Sequence, residues 1–202
     1  MVQPLFQAME QCLMEQEAPS KTLQALAEQR EFNDYPFELL YHQRFTEQSP
    51  VHHPEGNVWN HTLLVVDHAA QRKDESTDAR VFMWAALLHD IGKPATTKIR
   101  NGRITAYDHD KVGANLAKDF LSVFTEDSNF INRVTWLVRY HMQPLFVIKN
   151  LPFQDIEGMK KHVSIHDVAL LGLCDRLGRT GSQLETEEKN IEYFLKKCSL
   201  LP

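Results

Sequence analysis

Residues 84–94 read Trp-Ala-Ala-Leu-Leu-His-Asp-Ile-Gly-Lys-Pro, an apolar run that ends in a His-Asp pair followed by Gly and Pro. His89 ends a stripe of apolar residues at helical spacing, so its side chain is predicted to face the core. Gly92 suits a helix C-cap and Pro94 disfavours continuation, so we expect the pair on the last turn of a helix. Asp90 lies about 100° further round the helix and can approach the same interior space.

The chain contains two further His-Asp dipeptides, at 109–110 and 166–167, so the dipeptide alone is a weak signal. Asp110 and Asp167 are each predicted in the first turn of a helix, where a carboxylate meets the positive end of the helix dipole. Asp90 is predicted at a helix C-terminus, where a carboxylate opposes the dipole and needs a compensating partner. A metal cation would be such a partner, so the sequence indicates a metal site at Asp90.

The composition is typical of a soluble globular protein. Of the 202 residues, 43% are hydrophobic and 24% charged, and no apolar run approaches the roughly 18 residues of a membrane span. Three cysteines without a C-x-x-C pair favour a reducing cytoplasm over disulfides or a thiolate zinc site, and we expect no secretory leader. The net charge of -5 disfavours a duplex-DNA binder. The oligomeric state is left open.

Hydrophobic periodicity predicts an all-α protein with one domain over residues 1–202. Residues 1–50 are predicted to form a helical layer that closes the core or builds an interface, because no Gly/Ser/Pro-rich linker marks a separate domain. Residues 51–180 are predicted to form the core, and residues 181–202 a C-terminal helix. Apart from that last helix and the one that carries the His-Asp pair, the predicted helices cover 4–17, 20–30, 36–45, 58–73, 109–124, 128–141 and 164–178.

Polar residues interrupt the apolar faces of several of these helices. His61 shares a face with apolar residues, His109 opens a helix, and His141 ends an apolar stripe, with Pro144 expected to stop that helix. Asp175 lies on an otherwise apolar face, where a buried carboxylate costs several kcal/mol unless it is paired or metal-bound. The candidate metal ligands are therefore His61, His89, Asp90, His109, His141 and Asp175.

Imidazole and carboxylate ligands without thiolate suit divalent Mn, Fe, Co, Ni or Zn, and also Mg if fewer histidines bind. Such ions polarise phosphoryl oxygens and lower the pKa of bound water, so hydrolysis of a phosphate ester is the expected chemistry. Four ligands suffice for one ion with open positions. His109 and His141 are placed where a second ion could use them. In the one-ion alternative these two histidines bind only substrate phosphate.

Residues 98–105 carry β-branched and basic residues around Asn101-Gly102, a strong signal for a β-hairpin. Between Gly92 and Lys118 there are six Lys/Arg against two Asp. This local excess of positive charge either protects strand edges or forms a rim that attracts phosphate, and the sequence leaves both open.

The pattern of a histidine, a His-Asp pair and a later aspartate on helices resembles the HD superfamily of metal-dependent phosphohydrolases. The similarity is closer to the HD domain of bacterial tRNA nucleotidyltransferases and covers roughly residues 50 to 180. The stretches that carry it are His53–His61, Leu87–Pro94, Thr96–Arg100 with the following Asn-Gly-Arg-Ile-Thr, His109 with Gly113-Ala114, and Cys174–Arg179. The resemblance implies an all-α helical bundle with one small β-hairpin. It also implies that His61, His89, Asp90 and Asp175 are the core metal ligands, and that His109 and His141 match the extra histidines of two-metal members.

In those relatives the domain acts on 2′,3′-cyclic phosphodiesters, 2′-nucleotides and other phosphomonoesters. The resemblance therefore implies a small phosphate-ester or nucleotide substrate, with RNA 3′ ends included. Asp90 is expected to anchor the metal, and Lys93, together with Arg176 or Arg179, to neutralise phosphate charge. Among the remaining histidines, His53 is the one expected to approach the substrate. Lys93 could equally be a favourable cation at a helix C-terminus, and the two arginines could be solvated.

Two features depart from relatives with the same motif. No Asp-x-Asp pair follows Gly181-Ser182, so we do not expect CCA addition, and Ile-Gly-Lys after the His-Asp pair differs from the pattern of alarmone hydrolases. Two other functions use the same ligands. An HD-type di-iron oxygenase would need iron and oxygen, and a non-catalytic nucleotide-sensing module would bind its ligand tightly without turnover.

Overall fold

The N-terminal quarter of the chain is a layer of helices and 3-10 turns that bury their apolar faces. The structure is a computed structural model that describes residues 2–199. It places α1 at Gln3–Glu15, α2 at Ser20–Leu26 and α3 at Glu38–Tyr41, with 3-10 turns at Arg30–Asn33 and His42–Phe45. The helices predicted over 20–30 and 36–45 were therefore too long. Short turns allow Phe32, Phe37 and Leu40 to reach the core from one segment, which the single face of a continuous helix would not.

The centre of the bundle is α5, Ala79–Leu88, in which every residue from Val81 to Leu88 is buried. A helix that is apolar on all sides must be enclosed by others, and α5 contacts α1 and three other α-helices. These three are α4 at Val58–Ala70, α8 at Ser128–Tyr140 and α11 at Ile165–Leu177. The end of α5 therefore delivers the His-Asp pair to the interior.

The chain after α5 differs from the sequence prediction at Gly92. His89 is the C-cap of α5, and Gly92 is the N-cap of a short helix α6, Lys93–Thr96, with Pro94 in its first turn. A side chain at Gly92 would not fit against α7, His109–Ser122. A Cβ there would lie 2.2 Å from the carbonyl oxygen of His109 and 2.6 Å from the amide nitrogen of Gly113. The turn after the His-Asp pair is therefore in close backbone contact with the start of α7.

The predicted hairpin is confirmed. It consists of β1, Lys98–Arg100, and β2, Arg103–Thr105, paired antiparallel with Ile99 opposite Ile104. Asn101 and Gly102 have φ of 49° and 72°, the left-handed backbone that a two-residue hairpin turn requires. The all-α bundle with one small hairpin is therefore the observed fold class.

Three further α-helices and a third 3-10 turn complete the described chain: α9 at Gln143–Ile148, α10 at Ile156–His162, α12 at Leu184–Ser199 and the turn at Lys73–Glu75. Pro144 was expected to end α8, but α8 ends earlier, at Tyr140. Pro144 lies in the first turn of α9, where its missing N–H has no helical partner to lose. One cluster of buried apolar residues extends from Leu5 in α1 to Cys198 in α12. None of the helices within residues 2–199 combines the length and apolar character needed to cross a membrane.

Candidate metal centre

Four buried histidines from separate parts of the chain meet next to Asp90. His61 lies in α4, His89 directly after α5, His109 at the first residue of α7 and His141 directly after α8. The Nε2 atoms of His109 and His141 are 3.2 Å apart. The structure therefore brings four of the six predicted ligands, with the adjacent Asp90, into one interior site.

Asp90 lies between two pairs of these histidines, and its side chain is 2% exposed. Its Oδ2 is 3.2 Å from Nε2 of His89 and 3.9 Å from Nε2 of His61. Its Oδ1 is 3.5 Å from Nε2 of His109 and 3.8 Å from Nε2 of His141. Each carboxylate oxygen thus faces a different pair, and two clusters able to hold a metal ion share Asp90.

Asp175, on α11, lies beside His61 but belongs to neither of the two clusters that share Asp90. Its Oδ1 lies 2.9 Å from Nε2 of His61, and its Oδ2 accepts a hydrogen bond from Arg179 at 3.4 Å. Burial favours a raised pKa for Asp175, but Arg179 and His61 outweigh it and hold the pKa well below its usual range. The same is true of Asp90, where burial is outweighed by His89 and Lys93. Both carboxylates are therefore ionised, as a metal ligand must be.

Three of the histidines are oriented by the backbone. In each, Nδ1 donates to the carbonyl oxygen of the residue three positions earlier: His89 to Ala86 at 2.8 Å, His109 to Ala106 at 2.6 Å and His141 to Val138 at 2.7 Å. Because Nδ1 carries the proton, Nε2 presents its lone pair to the centre. Burial also lowers the pKa of His141 to about 3 and lowers that of His109, so both stay neutral.

His61 is oriented by a carboxylate instead. Its Nδ1 is 2.8 Å from Oε1 of Glu55, although the angle departs from that of a regular hydrogen bond. Glu55 is 2% exposed at its side chain and also contacts His53 Nδ1 at 2.8 Å, while its Oε2 accepts from the Thr180 amide at 3.3 Å. Burial favours a raised pKa for Glu55, but the close contact with His61 and the hydrogen bonds from the backbone and His53 lower the pKa to about 2. Carboxylate–histidine pairs of this kind orient metal ligands and raise their basicity.

Sequence reasoning did not single out Glu55. Its one available signal was its position between His53 and His61 in the motif, six residues before a predicted ligand. The residue precedes α4, and a loop has no periodicity from which the direction of its side chain could be predicted.

Two unsatisfied atoms show that the donor set fits a cation. Nε2 of His89 and Oδ2 of Asp90 are buried without a hydrogen-bond partner, and a buried polar atom without a partner costs about 1–3 kcal/mol. The Lys93 ammonium is 2.7 Å from Asp90 Oδ2 and supplies positive charge, but it is not aligned as a hydrogen-bond donor. A divalent cation would satisfy the nitrogen lone pair and the carboxylate oxygen together.

A cavity of about 900 Å³ opens beside this centre. The candidate ligands that line it are Asp90, His109, His141 and Asp175, and the candidate substrate contacts that line it are His53, Lys93 and Arg179. His61 and His89 lie outside its lining. So does Arg176, whose Nε donates to Oε2 of Glu187 at 3.1 Å. The structure therefore places Arg179 in the lining of this cavity, whereas Arg176 bonds to α12 and lines a separate small cavity with His141 and Asp175.

A comparison with protein families matches the HD domain over residues 58–180. The chain belongs to the HD domain family. All six candidate ligands lie inside the matched range, whereas His53 and Glu55 precede it.

The chain is also similar to a curated tRNA nucleotidyltransferase and to curated multifunctional CCA proteins. The CC-adding tRNA nucleotidyltransferase of Thermus thermophilus is 32% identical over 144 residues, which cover 70% of this chain and 32% of that protein. A multifunctional CCA protein of Actinobacillus pleuropneumoniae is 30% identical over 145 residues, which cover 66% of this chain and 34% of that protein. A multifunctional CCA protein of Halorhodospira halophila is 53% identical over 49 residues, 24% of this chain and 11% of that protein. The first two matches span about a third of the relatives' length.

Proposed function

We propose that the protein is a metal-dependent phosphohydrolase that acts on nucleotide-like phosphomonoesters or 2′,3′-cyclic phosphodiesters. The observation that carries the proposal is the position of Asp90, with one oxygen facing His61 and His89 and the other facing His109 and His141. A carboxylate between two pairs of imidazoles, open to a large cavity, is suited to hold two cations next to a substrate.

The ligands divide into two groups that share Asp90. His61, His89, Asp90 and Asp175 would hold one divalent ion, and Asp90, His109 and His141 would hold the second. Mn, Fe, Co, Ni and Zn suit these donors, and Mg suits a site with fewer histidines. When bound, such ions polarise phosphoryl oxygens and make water nucleophilic near neutral pH.

Two positively charged side chains that line the cavity, Lys93 and Arg179, would bind and orient the phosphate. Lys93 is held by Oε1 of Gln48 at 2.6 Å and by Asp90, so its ammonium has a fixed place beside the centre. Arg179 approaches from the end of α11 and lines the cavity, where its guanidinium donates to Oδ2 of Asp175 at 3.4 Å. Both groups would neutralise charge that develops on phosphate oxygens.

His53 would contact the substrate as a neutral group. Burial and the nearby cations lower the pKa of His53 to about 4. Its Nδ1 is held by Glu55, so Nε2 is the atom available for a hydrogen bond. RNA 3′ ends belong among the substrates to test because the relatives are named for tRNA nucleotide addition, whereas duplex DNA is not expected to be cut.

Removal and return of the metal test the proposal. Purified protein treated with a chelator should lose activity on 2′,3′-cyclic AMP and 2′-AMP, and a divalent metal should restore it. Asp90→Asn should stay inactive after metal addition, whereas Asp119→Asn, an exposed aspartate on α7, should behave as wild type. Full activity of chelated Asp90→Asn, or cleavage of duplex DNA alone, would overturn the proposal.

Metal loading and ligand binding also separate this proposal from the two other functions, an oxygenase and a nucleotide-sensing module. Uptake of iron with formation of an oxidised organic product would identify an oxygenase. Tight nucleotide binding without turnover at any metal would identify a sensing module.

A further inference from the structure

The cavity beside the metal centre has an apolar part that phosphate chemistry does not require. Its side chains come from the end of the hairpin segment and from α9 with the loop that follows: Tyr107, Leu145, Phe146, Leu151, Pro152 and Phe153. Metal ligands and cations line the same cavity, so the apolar surface lies within reach of a ligand whose charged end is at Asp90.

Two aromatic residues of this surface are open to solvent. Tyr107 is 61% exposed and Phe153 is 60% exposed. Large exposed apolar residues that line a cavity are typical of ligand-binding surfaces, because burying them against a ligand removes their contact with water.

The surface is held in place before any ligand binds. The ring of Phe153 packs edge-on against that of Phe146 with centroids 5.6 Å apart. The buried side chain of Gln143 donates to the Phe153 carbonyl oxygen at 3.4 Å and accepts from the Asp155 amide at 2.8 Å. The Leu151 amide donates to the carbonyl oxygen of Phe146 at 2.8 Å. A pre-organised surface loses little entropy on binding, which favours a specific ligand.

We propose that this surface, with Phe153 as its main contact, binds the nucleobase of a substrate whose phosphate lies at Asp90. The position of the phosphate rests on the proposed function. Aromatic side chains bind bases through the flat face that every base presents. Ser49 and His52, from the loop before α4, line the same cavity and can bond the polar edges of a base or ribose. An alkyl chain could not form hydrogen bonds with Ser49 and His52, so the lining favours a nucleotide over a lipid phosphate.

Equilibrium binding tests the inference with two matched probes. 2′-AMP and glycerol 2-phosphate both carry a phosphate on a secondary alcohol, but only 2′-AMP has a base. We expect wild-type protein to bind 2′-AMP more tightly in calorimetric titrations. Phe153→Ala should weaken 2′-AMP binding about tenfold, within the roughly 5- to 150-fold effect of losing one base–aromatic stack, and should leave glycerol 2-phosphate binding unchanged. Phe153→Leu should give an intermediate loss.

The control is Tyr193→Ala, which removes an aromatic residue that is 45% exposed on α12 and does not line the cavity. It should change neither affinity. Equal affinities for the two probes, an unchanged 2′-AMP affinity in Phe153→Ala, or decyl phosphate binding more tightly than 2′-AMP would overturn the inference.

Hydrolysis is measured separately so that the two proposals fail in different ways. If both esters are hydrolysed while Phe153→Ala keeps the wild-type preference, the base site is refuted and the phosphohydrolase stands. If the binding preference depends on Phe153 but neither ester is hydrolysed with any metal, the phosphohydrolase is refuted and the base site stands.

Discussion

Glu55 should set the metal affinity of the centre through His61. Glu55→Gln replaces the charged oxygen 2.8 Å from His61 Nδ1 by a neutral amide oxygen, while Glu55→Ala removes the contact. With its orienting carboxylate lost, His61 can rotate or take the tautomer in which Nδ1 rather than Nε2 presents the lone pair. We therefore expect both variants to bind metal more weakly than wild type.

The expected size of the effect follows from the geometry. The Glu55 side chain is 2% exposed, so solvent screens the contact little. A hydrogen bond to a charged group contributes roughly 1 kcal/mol more than a neutral one, so Glu55→Gln should weaken metal binding about five- to tenfold. Glu55→Ala loses the interaction entirely and should approach the 100-fold upper end of effects seen for partners of metal-bound histidines, about 2.7 kcal/mol.

The assay is competition of the folded protein with a chromogenic chelator for Zn²⁺ or Mn²⁺ at pH 7.5, with circular dichroism to confirm the fold. Glu47→Gln is the matched control because Glu47 lines the same cavity, is exposed and has no ion-pair partner among the described residues. It removes the same charge without touching His61 and should alter metal affinity less than twofold. Metal affinities of both Glu55 variants within twofold of wild type would refute the role of this carboxylate.

Three further results are expected. Metal counting at saturation should give two ions per chain in wild type and one in the double variant His109→Ala, His141→Ala; one ion in both would refute the two-metal site. Gly92→Ala should lower the free energy of unfolding in urea by about 1–3 kcal/mol, because its Cβ would overlap the backbone of α7. An unchanged urea midpoint would contradict that packing. Iodoacetamide at pH 8 should label no thiol of the native protein and three after unfolding, because burial raises the pKa values to about 11, 12 and 11 for Cys12, Cys174 and Cys198.

Periodicity predicted the helices that are long and strongly patterned. The apolar run before His89 could only be a buried helix, and the apolar stripes that end at His89 and His141 indicated which way these side chains face. It did not predict α9 and α10, because six or seven residues are too few for a face to repeat. These short elements nevertheless carry or flank most of the apolar surface of the cavity.

The site residues that were difficult to predict are those whose direction depends on tertiary contacts. Arg176 and Arg179 both follow the predicted aspartate closely, and one or the other was expected to neutralise phosphate charge. Arg176 lies in the last turn of α11 and donates to Glu187 on α12, whereas Arg179 follows the end of α11 and donates to Asp175. The contact of Arg176 with Glu187 depends on the position of α12, which the sequence pattern of α11 does not predict.

The turn that carries the His-Asp pair explains why two adjacent residues can serve one centre. Neighbouring side chains on a regular helix point about 100° apart, yet His89 Nε2 and Asp90 Oδ2 are 3.2 Å apart. The chain leaves the α-helix at this point: the amide of Ile91 bonds to the Leu88 carbonyl oxygen, three residues back, and that of Lys93 bonds to Asp90. The contact of Gly92 with α7 then sets the place of His109 against Asp90. A substitution that continued α5 through Gly92 would therefore separate the two groups of ligands that share Asp90, even if every ligand were kept.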